Sequence, residues 1–318
     1  MRRNVYTLTD KHTFTANTTT TVDLPENTYI TQIDCQIKLN VTPGSSVSTK
    51  EDHFGRIIDA CSIKASRART FFDVSDGRQW QWWNYMVYEG QLALDALPAA
   101  GGSATDIYGM FRIHLGFDPT DPFDPSVVIP GPHVSNLEHR ITWGSASDLG
   151  TGFTINSGEM TLTVYELSLE PGETEASIWT QGLVDPRVEA RTIDIDAVYS
   201  NLSLTDDVPV GDILYQSLVM VVDSSDNRSD SEVSAVGVKL PKGRETPWDI
   251  DWYPLKSKTR SQFRIPSTVT GVTMIPWEEI AGNPDGLDLQ AAQVGDVRLA
   301  FTTAQTGGDI HILYFAYS

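Results

Sequence analysis

Each half of this 318-residue chain closes on an apolar strand pattern, and that repetition restricts the folds open to it more than any other feature. Residues Met160 to Leu167 read MTLTVYEL, and Asp309 to Tyr317 read DIHILYFAY. A second echo lies near the start of each half: Asp23, Pro25, Ile30 and Gln32 return 184 positions later as Asp207, Pro209, Leu214 and Gln216. Identities are few, but order and spacing agree. A chain that runs through one all-β plan twice is expected to fold as two similar sandwiches in tandem.

The length suffices for two domains, each with its own core. Apolar residues make up 40% of the chain, with eight Trp, eleven Tyr and eleven Phe, a composition that excludes a disordered protein. No apolar run approaches the roughly 20 residues that span a bilayer. The segment Met1 to Tyr6 lacks the apolar stretch of a secretory signal. Forty-two acidic against 23 basic residues give a formal charge of −19, which repels a phosphate backbone, so direct nucleic-acid binding is not expected. Arg2 and Arg3 read as a solvated terminus, with anionic lipid or nucleic acid as the weaker alternative. Cys35 and Cys61 lie in candidate strands and are expected to be free buried thiols; a bridge across a core is the other reading.

Short runs rich in Val, Ile, Thr and aromatic residues, bounded by Gly, Pro, Asn and Asp, predict strands along most of the chain. Phe111, Ile113, Leu115 and Phe117 fall on one face of such a run, opposite Arg112 and His114. Tyr29 to Val41 and Leu214 to Val222 are more continuously apolar, as strands covered on both sides would be. One segment breaks the pattern. After Ser75 or Asp76 as N-cap, Gly77 to Glu89 predicts a short helix that stops at Gly90, with Trp80, Trp83 and Val87 on one face. Its aromatic area is expected to pack on the sheet, with a subunit interface or a sugar platform as alternatives. The polar, turn-forming stretch Leu169 to Ala176 divides a first unit, 1–172, from a second, 173–318.

In the first half the order is a strand, the helix at Gly77, Phe111 to Phe117, Val127 to Pro130, Leu137 to Trp143, a loop and the closing strand. In this order and texture the chain resembles the double jelly-roll major capsid proteins of tailless icosahedral viruses, the group that includes tectiviruses, corticoviruses and the adenovirus hexon. The resemblance implies an all-β fold of two tandem eight-stranded jelly-roll sandwiches packed side by side, with a short helix in the first. It further implies a structural subunit of the virion shell, assembled inside the host cell. Three chains would close into a pseudo-hexagonal homotrimer that tiles beside like capsomers and other capsid proteins, such as a vertex protein, over an internal lipid membrane. The chain lacks long insertions, so towers or turrets are not expected, and no amphipathic N-terminal helix is evident that would dip toward lipid.

Chemistry is poorly represented. The histidines at 12, 53, 114, 133, 139 and 311 include no pair at zinc-protease spacing, and no nucleophile elbow or phosphate-binding loop is present. Glu138 and His139 are neighbours in a strand and should point to opposite faces. Asp194 with Asp196, and Asp249 with Asp251, are spaced to share a strand face as glycosidase carboxylates could, and Trp248 and Trp252 could stack on sugar. Asp118, Asp121 and Asp124 alternate with prolines in a stiff loop that could hold calcium or simply form a rigid turn. Asn17, Asn40, Asn201 and Asn227 begin glycosylation sequons. No catalytic, cofactor or metal residue is assigned, no cofactor is required, and an enzyme is not expected. The alternatives are a glycan-binding β-sandwich module or viral spike, using Trp80 to Tyr88 or Trp248 and Trp252, and, more remotely, a polysaccharide hydrolase or lyase using Asp249 and Asp251.

Overall fold

The computed structural model describes residues 1–66, 69–180, 182–208, 213–239, 248–281, 287–288 and 297–317. Two compact units divide after Pro186. The first contains β1 (Arg2–Thr13), β2 (Thr19–Asp23), β3 (Tyr29–Thr49), β4 (Ile58–Ala65), β5 (Arg69–Val74), β6 (Thr105–His114), β7 (Ile129–Pro130), β8 (Glu138–Trp143) and β9 (Gly150–Ser168). The second contains β10 (Pro186–Asp194), β11 (Leu204–Asp207), β12 (Ile213–Val222), β13 (Val233–Lys239), β14 (Trp248–Asp251), β15 (Val272–Ile275), β16 (Leu287–Asp288), β17 (Arg298–Thr303) and β18 (Asp309–Tyr317). Helices are α1 (His53–Arg56), α2 (Gly77–Val87), α3 (Ala146–Leu149), α4 (Glu175–Ile178), α5 (Trp252–Gln262) and α6 (Trp277–Ala281).

Strand order is the same in both units. The first has β1-β9-β3-β6 facing β5-β4-β8-β2, and the second has β10-β18-β12-β15 facing β11-β17-β13-β14. Setting aside the two-residue strands β7 and β16, the eight strands of each unit, taken along the chain, run 1-8-3-6 in one sheet and 2-7-4-5 in the other. That is the jelly-roll order. Each unit also carries one eleven-residue helix between its fifth and sixth strands, α2 in the first and α5 in the second.

The 184-residue echo has a structural cause. Ile30 pairs with Glu166 and Gln32 with Tyr165, which leaves Thr31 as an extra residue on β3. Leu214 pairs with Ala316 and Gln216 with Phe315, which leaves Tyr215 extra on β12. The repeated residues therefore flank one bulge in each unit, where the third strand bends against the last. Asp23 and Asp207 end the two second strands. Pro209 lies outside the described residues.

Alternation along β3 differs from the sequence expectation. Both faces are buried only from Tyr29 to Ile33; beyond that, Cys35, Ile37, Leu39 and Val41 point inward between more exposed polar neighbours. Phe111, Ile113 and Leu115 are buried as expected, but β6 ends at His114 and Phe117 is left 38% exposed. β12 is buried on both faces from Ser217 onward. Its core partners include Trp252, Leu255, Trp277, Phe301, Ile312 and Tyr314.

The division after Pro186, where the sequence placed it at 172, follows from how the intervening residues are held. Glu173 binds the Met1 amino group at 2.7 Å, and Glu175 accepts from Tyr29 and pairs with His133. The Trp179 ring lies 4.8 Å from that of Tyr29, and its indole donates to the Pro125 carbonyl at 2.8 Å. Val128 donates to the Val184 carbonyl, and Asp185 pairs with Arg69. The described residues between 173 and 186 thus belong physically to the first unit.

A polar chain crosses the first core. Thr20 bonds His12 Nδ1 at 2.8 Å, His12 Nε2 bonds His139 Nδ1 at 2.8 Å, and His139 Nε2 faces the thiols of Cys61 at 3.4 Å and Cys35 at 3.9 Å. Both cysteines are free and buried. Burial pushes both thiols well above their usual range, pushes His12 down to about 4, and holds His139 well below the ordinary imidazole value, with His12 adding to the last effect. The chain is neutral at pH 7. Because an unfolded histidine titrates near pH 6.5, the His12 contribution is complete above that value and is lost as pH falls toward 4, to about 3 kcal/mol in total. Urea unfolding of His12→Gln should therefore show a smaller loss between pH 7 and pH 4 than the native chain, by about that amount.

Candidate functional site

The eleven-residue helices α2 and α5 are each held to their unit by side-chain hydrogen bonds. Asp76 caps α2, accepting from the Arg78 backbone N–H at 2.9 Å and gripping the Arg78 guanidinium at 2.6 Å. Close approach of α1 requires glycine on both sides: a Cβ at Gly77 would lie 2.4 Å from the Gly55 carbonyl oxygen, and one at Gly55 would lie 2.8 Å from the Arg78 Cα. The Asp52 carboxylate, on the loop after the third strand, accepts from the Trp82 indole at 3.0 Å.

The second unit reaches the same arrangement with different residues. Asp230, also on the loop after its third strand, accepts from the Trp252 indole at 2.9 Å and from the Gly271 backbone N–H at 2.8 Å, and binds Lys256 Nζ at 2.5 Å. Lys256 is only 4% exposed. Burial works to raise the Asp230 carboxyl, but its bonds from Lys256, Trp252 and Gly271 outweigh this and hold it below the usual range.

Both helices also cap the edge of the sixth strand. The eighth residue of α2, Asn84, accepts from the Arg112 N–H at 2.7 Å and donates to its carbonyl at 2.9 Å. The eighth residue of α5, Thr259, accepts from the Met274 N–H at 3.2 Å. Open edges invite pairing with other chains, and a side chain seated on the ladder blocks it. The loop after α2 adds to the cover in the first unit, where Ala93 and Asp95 bond the β6 backbone at Met110 and Tyr108.

The sequence candidates fall in place accordingly. Trp80, Trp82 and Trp83 are buried, with Trp80 against Phe72 and Phe111, so α2 packs on the sheet and offers no sugar platform. Trp252 is 1% exposed and Trp248 is half-buried. Asp249 and Asp251 do share the exposed face of β14, whereas Asp196 lies beyond the end of β10 and accepts from the Tyr199 hydroxyl. Glu138 and His139 point to opposite faces as expected. Asp118, Asp121 and Asp124 each accept a backbone N–H two residues on, from Thr120, Phe123 and Ser126. They brace their own turn, and among the described residues no group of three or more His, Cys, Asp or Glu is arranged to hold a metal ion. The sequon residues Asn17 and Asn201 sit in turns with positive φ, and the Asn40 side chain is engaged with Asp106 and Asn156. Sequence reasoning missed α5, although its buried residues Trp252, Leu255, Lys256 and Thr259 carry helical spacing.

Removing Asp230 would strand the Lys256 ammonium in the core, where an unpaired charge costs about 3–5 kcal/mol. Chemical denaturation should show Asp230→Ala destabilising the second unit by that order, and Lys256→Met added to it should recover most of the loss.

No family model matches the sequence, and no curated protein matches it. Solved structures do. The MCP of STIV, the Sulfolobus turreted icosahedral virus, superposes with a TM-score of 0.82 at 17% identity, covering 100% of this chain and 97% of the other. The major capsid protein P2 of bacteriophage PM2 gives 0.54 at 11%, covering 99% and 97%, and the Faustovirus major capsid protein gives 0.58 at 8%, covering 99% and 90%. With two units of identical jelly-roll strand order and these matches along its whole length, the chain has the double jelly-roll fold of viral major capsid proteins.

Proposed function

We propose that this chain is a major capsid protein, a structural subunit of a virion shell that works by self-association and carries out no catalytic step. The observation that carries this reading is the superposition of the whole chain, both jelly rolls included, on the STIV protein. Three copies supply six similar sandwiches, enough for a pseudo-hexagonal homotrimer by head-to-tail closure. In this reading such trimers tile an icosahedral shell over an internal membrane, beside other capsid proteins at the vertices, after assembly inside the host cell. The acidic surface suits a subunit that does not touch the genome.

Light scattering on the purified protein should give a particle of three times the 35.1 kDa chain mass. A monomer at every concentration tested would overturn the assembly reading.

Each chain carries −19 formal charges, so tile-to-tile contact must overcome repulsion that falls off over about 10 Å at 0.1 M salt. No cofactor is required, and divalent cations contribute by bridging acidic surfaces. Association of trimers should therefore weaken when salt is lowered or a chelator is added, as followed by sedimentation; indifference to both would remove the electrostatic part of the proposal.

A further inference from the structure

From the outer face of α5 we infer a contact with a second copy of this chain, an inference that rests on the assembly reading above. Three basic and no acidic side chains lie on this helix, in a protein of net charge −19. Two of the cations are used within the chain, Lys256 by Asp230 and Lys258 by Glu279. The third, Arg260, is exposed and has no acidic partner among the described residues. Tyr253 stands on the same stripe as Ser257 and Arg260, at positions i, i+4 and i+7, and all three are exposed. At 65% exposure Tyr253 is the most exposed of the large apolar side chains among the described residues.

The opposite stripe, Trp252, Leu255, Lys256 and Thr259, is buried. In α2, which occupies the same place in the first unit, Tyr85 and Val87 are partly exposed and every other residue is buried. The two units thus share a helix and differ in what it shows to solvent.

Tyrosine and arginine are, with tryptophan, the residue types enriched among those that dominate protein interfaces. Two chains of −19 repel over most of their surfaces, so a free cation two turns along the same stripe from an exposed ring marks a place where an acidic neighbour is attracted instead. The occupant is an acidic surface of another copy. Because α5 itself carries no acidic side chain, the carboxylates that meet Arg260 come from a different surface of the other copy, and the contact is heterologous, the kind that closes into a ring or runs on as a filament.

The test compares the native chain with Arg260→Glu, Tyr253→Ser and Arg260→Lys by light scattering over a dilution series. Both sites are exposed and the variants should remain folded, with small falls in melting temperature, because Tyr253 lies 5.8 Å from the Lys256 ammonium and Arg260 sits in the last turn of α5, where a cation favours the helix. Arg260→Glu and Tyr253→Ser should each raise the concentration needed for oligomers by more than tenfold, and Arg260→Lys should fall between them and the native chain. Variants that assemble like a normally assembling native chain would overturn this contact and leave the capsid reading standing. A native chain that stays monomeric throughout would remove both. Variants that assemble normally but lose binding to phosphatidylserine vesicles would assign the face to a membrane and overturn the inference.

Discussion

The last strand of each unit lies in the interior of its sheet. β9 is inserted between β1 and β3, and β18 between β10 and β12, so neither sandwich can close until its final segment arrives. An interior strand must satisfy hydrogen bonds on both edges and packing on its inner face. In β18 every described residue after Asp309 is buried. This placement sets an apolar strand at the end of each half, and it fixes where the neighbouring third strand must bend. The bulges at Thr31 and Tyr215 accommodate that bend against β9 and β18.

Closing a sheet from its middle leaves the sixth strand at an outer edge, and both units meet that problem with a helix. Asn84 and Thr259 occupy the same ordinal place in α2 and α5 and bind the backbone of β6 and β15. Each helix is tied down by a carboxylate that accepts an indole N–H, Asp52 from Trp82 and Asp230 from Trp252. The indoles come from different turns of the two helices and the carboxylates from different points in their loops. What the units share is a physical requirement, met with different residues. Identity to the solved structures is correspondingly low, 17% where the superposition reaches 0.82.

Strand texture and the echo were legible in the sequence because period-2 burial and a bulge leave local traces. The helix at Gly77 was legible because Asp76 caps it through its own side chain. The α5 helix was not, for three reasons. Trp248 to Asp251 alternates like a strand and is one, Asp251 caps without a side-chain bond, and Pro254 reads as a breaker although the first helical turn has no hydrogen bond for it to lose. The chain from Thr20 through His12 and His139 to the two cysteines joins residues from both sheets, and nothing in linear order brings them together. The aromatic cluster Trp80 to Tyr88 announced burial, but its partners Phe72 and Phe111 lie on strands on either side of the helix.

Repetition of the fold without repetition of the surface has a consequence for assembly. If both units showed the same faces, one kind of contact could serve every joint around a ring, and nothing would favour three chains over another arrangement of single sandwiches. Tandem units with unlike faces let a contact between chains be made in one specific way, and that contact must be recognised. In the proposed trimer that recognition falls to side chains that the chain's own ion pairs leave unused, and the net acidity of the surface opposes less specific approach. The same charge that makes association costly thereby makes it selective, since a neighbour that presents carboxylates to a local cation gains where most approaches are repelled.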